Sequence, residues 1–117
     1  MAKYEDRLSC NVRELATYLN EYIVSTSISA NLEDESIFFI DDMKCVTRVY
    51  ERYSWLGGNR LSLTLTLFGR DGDVRLTAIT AGGSQAMFFK INTFGESAFL
   101  DKLISGVEKF KRQQGRY

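Results

Sequence analysis

The chain has 117 residues, with 15 Lys plus Arg against 15 Asp plus Glu, and it contains neither histidine nor proline. A zero net charge gives no electrostatic case for nucleic acid or an acidic membrane surface. The missing imidazole removes the usual catalytic triads and most zinc or iron sites, and the length sets one domain, residues 1–117, that can bury a core without staples.

Without proline, every peptide bond is expected trans and the turns must come from Gly, Asn, Asp and Ser. The N-terminus MAKYEDRLS has no apolar leader, and no apolar run approaches the roughly 18 residues of a membrane helix. With only Cys10 and Cys45, the expectation is a cytoplasmic protein with reduced thiols and no membrane partner.

Lys3–Leu8 alternates weakly and reads as a short first strand. Asn11 with Glu14 has the spacing of a helix cap, and Val12, Leu15, Ala16, Leu19, Tyr22 and Ile23 form one stripe of a helix running to Val24. Ser27–Glu33 alternates through Ile28, Ala30 and Leu32 and predicts a strand. Glu35–Ile40 gathers Ile37, Phe38, Phe39 and Ile40 into further strand, which Asp41–Asp42 ends. Lys44–Trp55 is β-branched and aromatic, and Leu56–Asn59 is a hairpin turn. Arg60–Phe68 sets Leu61, Leu63, Leu65 and Leu67 on one face and Ser62, Thr64 and Thr66 on the other. Asp71–Gly72 supplies positive φ for a tight turn, and Val74–Ala81 returns with Val74, Leu76 and Ala78 inward. After Gly82–Gly83 a short strand is expected at Met87–Ile91. Thr93 with Glu96 then repeats the capping pattern before a helix carrying Phe99, Leu100, Leu103, Ile104, Val107 and Phe110 on one side. Lys109, Lys111 and Arg112 crowd its end, where the dipole favours cations.

The order β-α-β-β-β-β-(β)-α with short hairpins predicts an α+β fold: a single antiparallel sheet of about five to six strands with two helices on one face. That order resembles the TATA-binding-protein-like and helix-grip architectures, a resemblance that fixes no function.

Two regions are candidate sites. On the sheet face away from the helices, Arg48, Tyr50 and Arg52 are expected beside Ser62, Thr64 and Thr66, followed by Arg75 and Thr77. Such a face can bind phosphates or bases by charge and stacking, although a threonine-rich face is more often simply solvated. In RVYERYSWLGGNR, Tyr53 and Trp55 are expected to share core-side parity with Val49. The second region follows the last long strand, where Ser84, Gln85, Phe88, Lys90 and Asn92 are candidate ligand contacts. Its GGSQ has neither the Lys-Ser/Thr of a P-loop nor GxGxxG, so a bend in the sheet is the simpler reading.

Cys10 lies beside a helix N-terminus, which can lower a thiol pKa, but no histidine can activate it. The acids Glu33, Asp34, Glu35, Asp41 and Asp42 match no calcium loop. Phe38, Phe39, Phe88, Phe89, Phe94 and Phe99 are expected to converge near one end of the sheet, packed as core or lining an apolar cavity.

The segments VYERYSWLGGNRLSL, AITAGGSQAMFFKINTFGE and FLDKL resemble a family of short bacterial proteins of unknown function, over most of the chain. The resemblance implies no activity, cofactor or catalytic residue. The expectation is a non-enzymatic binding or protein-interaction module, with a homodimer through sheet edges or the uncovered face as one form of it. A small apolar-ligand carrier, with an aromatic cavity between the sheet and the C-terminal helix, is the alternative, and a weak RNA binder a further one. No catalytic residue, metal or cofactor is assigned.

Overall fold

The computed structural model describes residues 1–27, 29–54, 59–82 and 89–114, with the backbone alone at 54, 59 and 89–96. Strands β1 (Ala2–Leu8), β2 (Asn31–Ile40), β3 (Met43–Ser54), β4 (Asn59–Arg70) and β5 (Asp73–Gly82) form one antiparallel sheet in the order β1-β5-β4-β3-β2. Helices α1 (Val12–Thr26) and α2 (Phe89–Gln114) cover one face of it. The fold is α+β, as the element order predicts.

The core follows from alternation on β4. Leu61, Leu63, Leu65 and Leu67 are fully buried, and Val74, Leu76 and Ala78 of β5 share their face. The α1 stripe meets them with Val12, Leu15, Leu19 and Ile23, and α2 with Phe99, Leu103 and Val107. The helices approach each other closely at Gly106, where an added Cβ would lie 2.8 Å from the Tyr22 ring. Tyr22 is held there by a hydrogen bond with the Ser105 hydroxyl at 2.9 Å and stacks on Tyr18.

The start of α1 is capped twice. Asn11 Oδ1 accepts from the Glu14 N–H at 3.0 Å, as its spacing predicts. Asp71, from the β4–β5 turn, accepts from the Val12 N–H at 3.2 Å and from Asn11 Nδ2 at 3.1 Å. Gly72, at φ 99°, donates its N–H to the Cys10 carbonyl at 2.8 Å, so the hairpin tip is pinned to the start of the helix.

Three expectations about elements change. Ser27, Ser29 and Ala30 are not strand: α1 runs on to Thr26, the Ser27 N–H donates to the Ile23 carbonyl at 3.1 Å, and Ser29 turns the chain at φ 62°; Ile28 lies outside the described residues. The two expected strand segments are therefore one strand, β2, whose register with β3 shifts between Leu32 and Asp34. Residues Phe89–Ile91 are helical rather than extended, and Thr93 lies inside α2 rather than at its cap. A Thr-x-x-Glu spacing marks a helix start only where the preceding residues leave the helix. Of the expected Leu56–Asn59 turn, Leu56 to Gly58 lie outside the described residues, as does Trp55, and Asn59 already belongs to β4, paired with Ser54.

Candidate functional site

The arginine face expected on the open side of the sheet does not form there. Arg48 pairs in register with Leu65, Tyr50 with Leu63 and Arg52 with Leu61, so all three share the helix-covered face. The parity of β3 is set by its hydrogen-bonded neighbour. Its inward stripe holds long amphipathic side chains whose polar ends find partners on the helices. Arg48 donates Nη1 to the Ala16 carbonyl and Nε to Glu35, each at 2.5 Å. The Tyr50 hydroxyl, in a fully buried side chain, donates to Asn20 Oδ1 at 2.8 Å. Burial raises the Tyr50 pKa against the opposing pull of Arg48. The Arg52 guanidinium lies 4.7 Å above the Phe99 ring. By the same parity, Val49 and the exposed Tyr53 face away from the helices, the reverse of their expected placement. Trp55 lies outside the described residues.

Arg75 does lie on the open face, where it shares one carboxylate with Arg7. Arg75 and Arg7 both reach Asp73, at 3.3 and 3.0 Å, and hold its carboxyl below the usual range. Arg60 pairs with Glu51 at 3.0 Å. Ser84, Gln85 and Phe88 lie outside the described residues, and Lys90 and Asn92 fall in the first turns of α2, where only the backbone is described.

Cys10 is buried, and its thiol is pushed up to about 11 by desolvation and the nearby carboxylates of Glu14 and Asp71. A thiol held protonated is a poor nucleophile, so the helix N-terminus does not activate it. Among the described residues no group of His, Cys, Asp and Glu side chains could hold a metal ion.

A different region stands out. β2 is an edge strand and is exposed along its whole length. Within it Ile37, Phe38, Phe39 and Ile40 keep 47%, 68%, 61% and 73% of their surface open. Ile37 and Phe39 point to the helix side, opposite Val46 and Lys44. Phe38 and Ile40 point to the open face, opposite Cys45 and Met43. The row through Phe38 and Cys45 continues to Phe68 of β4, itself half exposed, so the apolar strip extends onto the open face. The expected convergence with Phe99 does not occur. Phe38 is on the opposite side of the sheet from Phe99, and Phe39 borders a cleft beside α1 instead. Phe88 lies outside the described residues, as do the side chains of Phe89 and Phe94.

This architecture from β1 to the last turns of α2 is what the family comparison spans. The chain belongs to DUF6054, a family of unknown function, whose model matches residues 1–111. No curated protein matches it. In this DUF6054 chain no helix among the described residues is long and apolar enough to cross a membrane.

A sequence signal for the β2 strip was present. A sheet covered on one face calls for alternation, and four consecutive apolar residues at Ile37–Ile40 break it. Such a run must expose half its members unless something covers the second face.

Proposed function

We propose that this protein is a non-enzymatic interaction module that takes up an extended segment of a partner protein along the open edge of β2. The observation that carries the proposal is the exposure of Ile37, Phe38, Phe39 and Ile40 on both faces of an edge strand. An edge offers a row of unpaired N–H and C=O groups, and an added strand gains those hydrogen bonds together with alternate side-chain contacts. Covering an exposed Ile or Phe side chain completely is worth about 1.5–3 kcal/mol.

Charge selects the occupant. Glu33, Asp34 and Glu35 precede the apolar run, and Asp41 and Asp42 follow it. Glu35 pairs with Arg48, and Asp42 lies 3.6 Å from Arg70, which leaves Glu33, Asp34 and Asp41 without an ion pair among the described residues. A second copy paired antiparallel about Phe38 stacks Ile37 on Phe39 but sets Glu35 opposite Asp41 and Asp34 opposite Asp42. Like charges directly opposite are destabilising, and charged flanks of this kind protect edges from self-pairing. A segment with alternating apolar residues at its centre and Lys or Arg at its ends fits the edge without that repulsion.

The test is fluorescence anisotropy with three synthetic peptides: an alternating Val/Thr core flanked by lysines, the same core flanked by glutamates, and the lysine peptide with a central proline. Saturable binding is expected for the first, at least tenfold weaker binding for the second and none for the third. Phe38→Lys in the protein is expected to abolish the first. A concentration-dependent dimer that Phe38→Lys dissociates would instead make a second copy the occupant and overturn the assignment of the partner.

A further inference from the structure

Behind the same strand lies a cleft of about 110 Å³. Its walls come from α1 on one side and from β2 and β3 on the other. Val12 and Ala16 face Ile37, Phe39 and Val46 across it. Its charged lining is cationic: Arg13 from α1 and Lys44 and Arg48 from β3.

These cations differ in their commitments. Arg48 is held between Glu35 and the Ala16 carbonyl. The side chains of Arg13 and Lys44 make no ion pair or hydrogen bond with any other described residue. Elsewhere among the described residues Lys3, Arg7, Arg60, Arg70, Arg75 and Lys111 lie within ion-pair distance of an acid, while Lys102, Lys109 and Arg112 of α2, away from the cleft, do not. Two uncommitted cations lining an otherwise largely apolar cleft match a ligand with one anionic end and one apolar end. The volume is well below the roughly 300 Å³ at which drug-sized pockets begin, which limits the apolar part to a short hydrocarbon.

We infer that the cleft between α1 and the β2–β3 hairpin is a binding site for a small amphiphilic carboxylate, its hydrocarbon against Ile37, Phe39 and Val46 and its carboxylate between Arg13 and Lys44. The cleft shares Ile37 and Phe39 with the β2 strip but not the strand's open backbone edge, Phe38 or Ile40, and neither proposal requires the other. It also differs from an aromatic cavity under the C-terminal helix, because its helical wall is α1.

The experiment is an amide NMR titration of the full chain with hexanoate, hexan-1-ol and hexylamine as probes. Hexanoate is expected to give saturable shifts confined to residues 12–17, 37–39 and 44–48. Hexan-1-ol is expected to bind at least tenfold more weakly and hexylamine not at all. The double variant Arg13→Gln, Lys44→Gln, which changes only side chains bordering the cleft, is expected to weaken hexanoate tenfold or more while leaving the lysine-peptide affinity at β2 unchanged. Conversely, Phe38→Lys is expected to spare hexanoate, because Phe38 faces the other side of the sheet. Equal affinity for hexanoate and hexan-1-ol would reduce the site to an apolar crevice and overturn the inference. Shifts mapping elsewhere, or no saturable binding, would overturn it too.

Discussion

The two edges of the sheet solve the same physical problem differently. β1 has seven residues and alternates: Lys3, Glu5 and Arg7 take the open face, while Tyr4, Asp6 and Leu8 turn toward α2. Its charges are locked into place. Asp6 accepts from the Tyr4 hydroxyl at 2.7 Å and pairs with Lys111 of α2 at 2.5 Å, and Arg7 reaches Asp73 on β5. β2 has ten residues, none buried, and ends in four consecutive apolar side chains. A short, charged, helix-clamped edge resists addition of another strand; a long apolar edge invites it, with acids alone deciding which strand is admitted. The difference traces to helix placement. α2 packs over β5, β4 and β1, whereas α1 packs over β4 and touches β2 only lightly, leaving the side chains of β2 exposed.

The comparison can be broken hardest at the covered centre. Leu63→Ala removes a fully buried side chain beneath both helices and is expected to cost about 2–5 kcal/mol in urea unfolding. Phe38→Lys on β2 is expected to stay within about 0.5 kcal/mol of the parent. Similar losses at the two positions would mean that β2 is integrated into the core.

A smaller effect tests what sets the helices over the centre. Gly106→Ala places a Cβ 2.8 Å from the Tyr22 ring, which the Ser105 hydroxyl holds in place. Overpacking typically costs about 1–3 kcal/mol, against about 1 kcal/mol gained in helix propensity. A net loss of about 1 kcal/mol is expected, visible as a lower midpoint. A gain would mean that Tyr22 swings aside freely.

Tyr50→Phe leaves Asn20 without the hydroxyl that now donates to it, and is expected to cost about 1 kcal/mol by the same measurement. No loss would show that the bond between β3 and α1 adds nothing to the seating of the helix.

The smallest effect concerns the β1 clamp and its pH dependence. Burial of Asp6 raises its carboxyl pKa, but hydrogen bonds from Lys111, Tyr4 and the Arg7 N–H outweigh this and leave it below the ordinary value. A folded pKa below the unfolded one means the contribution is complete above about pH 4 and is lost as pH falls through the folded value. The pair is partly exposed, so the contribution is about 0.5–1 kcal/mol. Asp6→Asn is expected to lower stability by that amount at pH 7 and to flatten the stability profile below pH 4. An unchanged acid limb would remove the clamp from the account.

Much of the architecture was legible because it rests on local period. The leucines of β4, the stripe of α1 from Val12 to Ile23 and the stripe of α2 from Phe99 to Phe110 each name their buried face by spacing alone. Asn11 and Gly72 work through their own backbone geometry, so the cap and the turn were legible too. β3 was not. Its even positions carry Lys44, Val46, Arg48, Tyr50 and Arg52, and its odd ones Cys45, Thr47, Val49, Glu51 and Tyr53, so hydrophobicity ranks neither stripe clearly. Register against the leucines of β4 settled it, and that turned Arg48, Tyr50 and Arg52 inward. The candidate site was half legible: four apolar residues in a row announced a strand with two apolar faces, but nothing in the order of residues said whether the second face is covered.

The sequence by itself determined the α+β class, the two amphipathic helices, the inward leucines and the absence of imidazole chemistry, because each depends on residue type and on spacings within one element. Only the tertiary structure decided that Asp71 caps a helix 60 residues away, that three polar side chains of β3 lie under the helices, and that β2 is an edge strand whose side chains α1 leaves exposed. Those outcomes depend on strand order and on where a helix comes to rest on a sheet, which are set by packing between elements rather than by the pattern within any one of them.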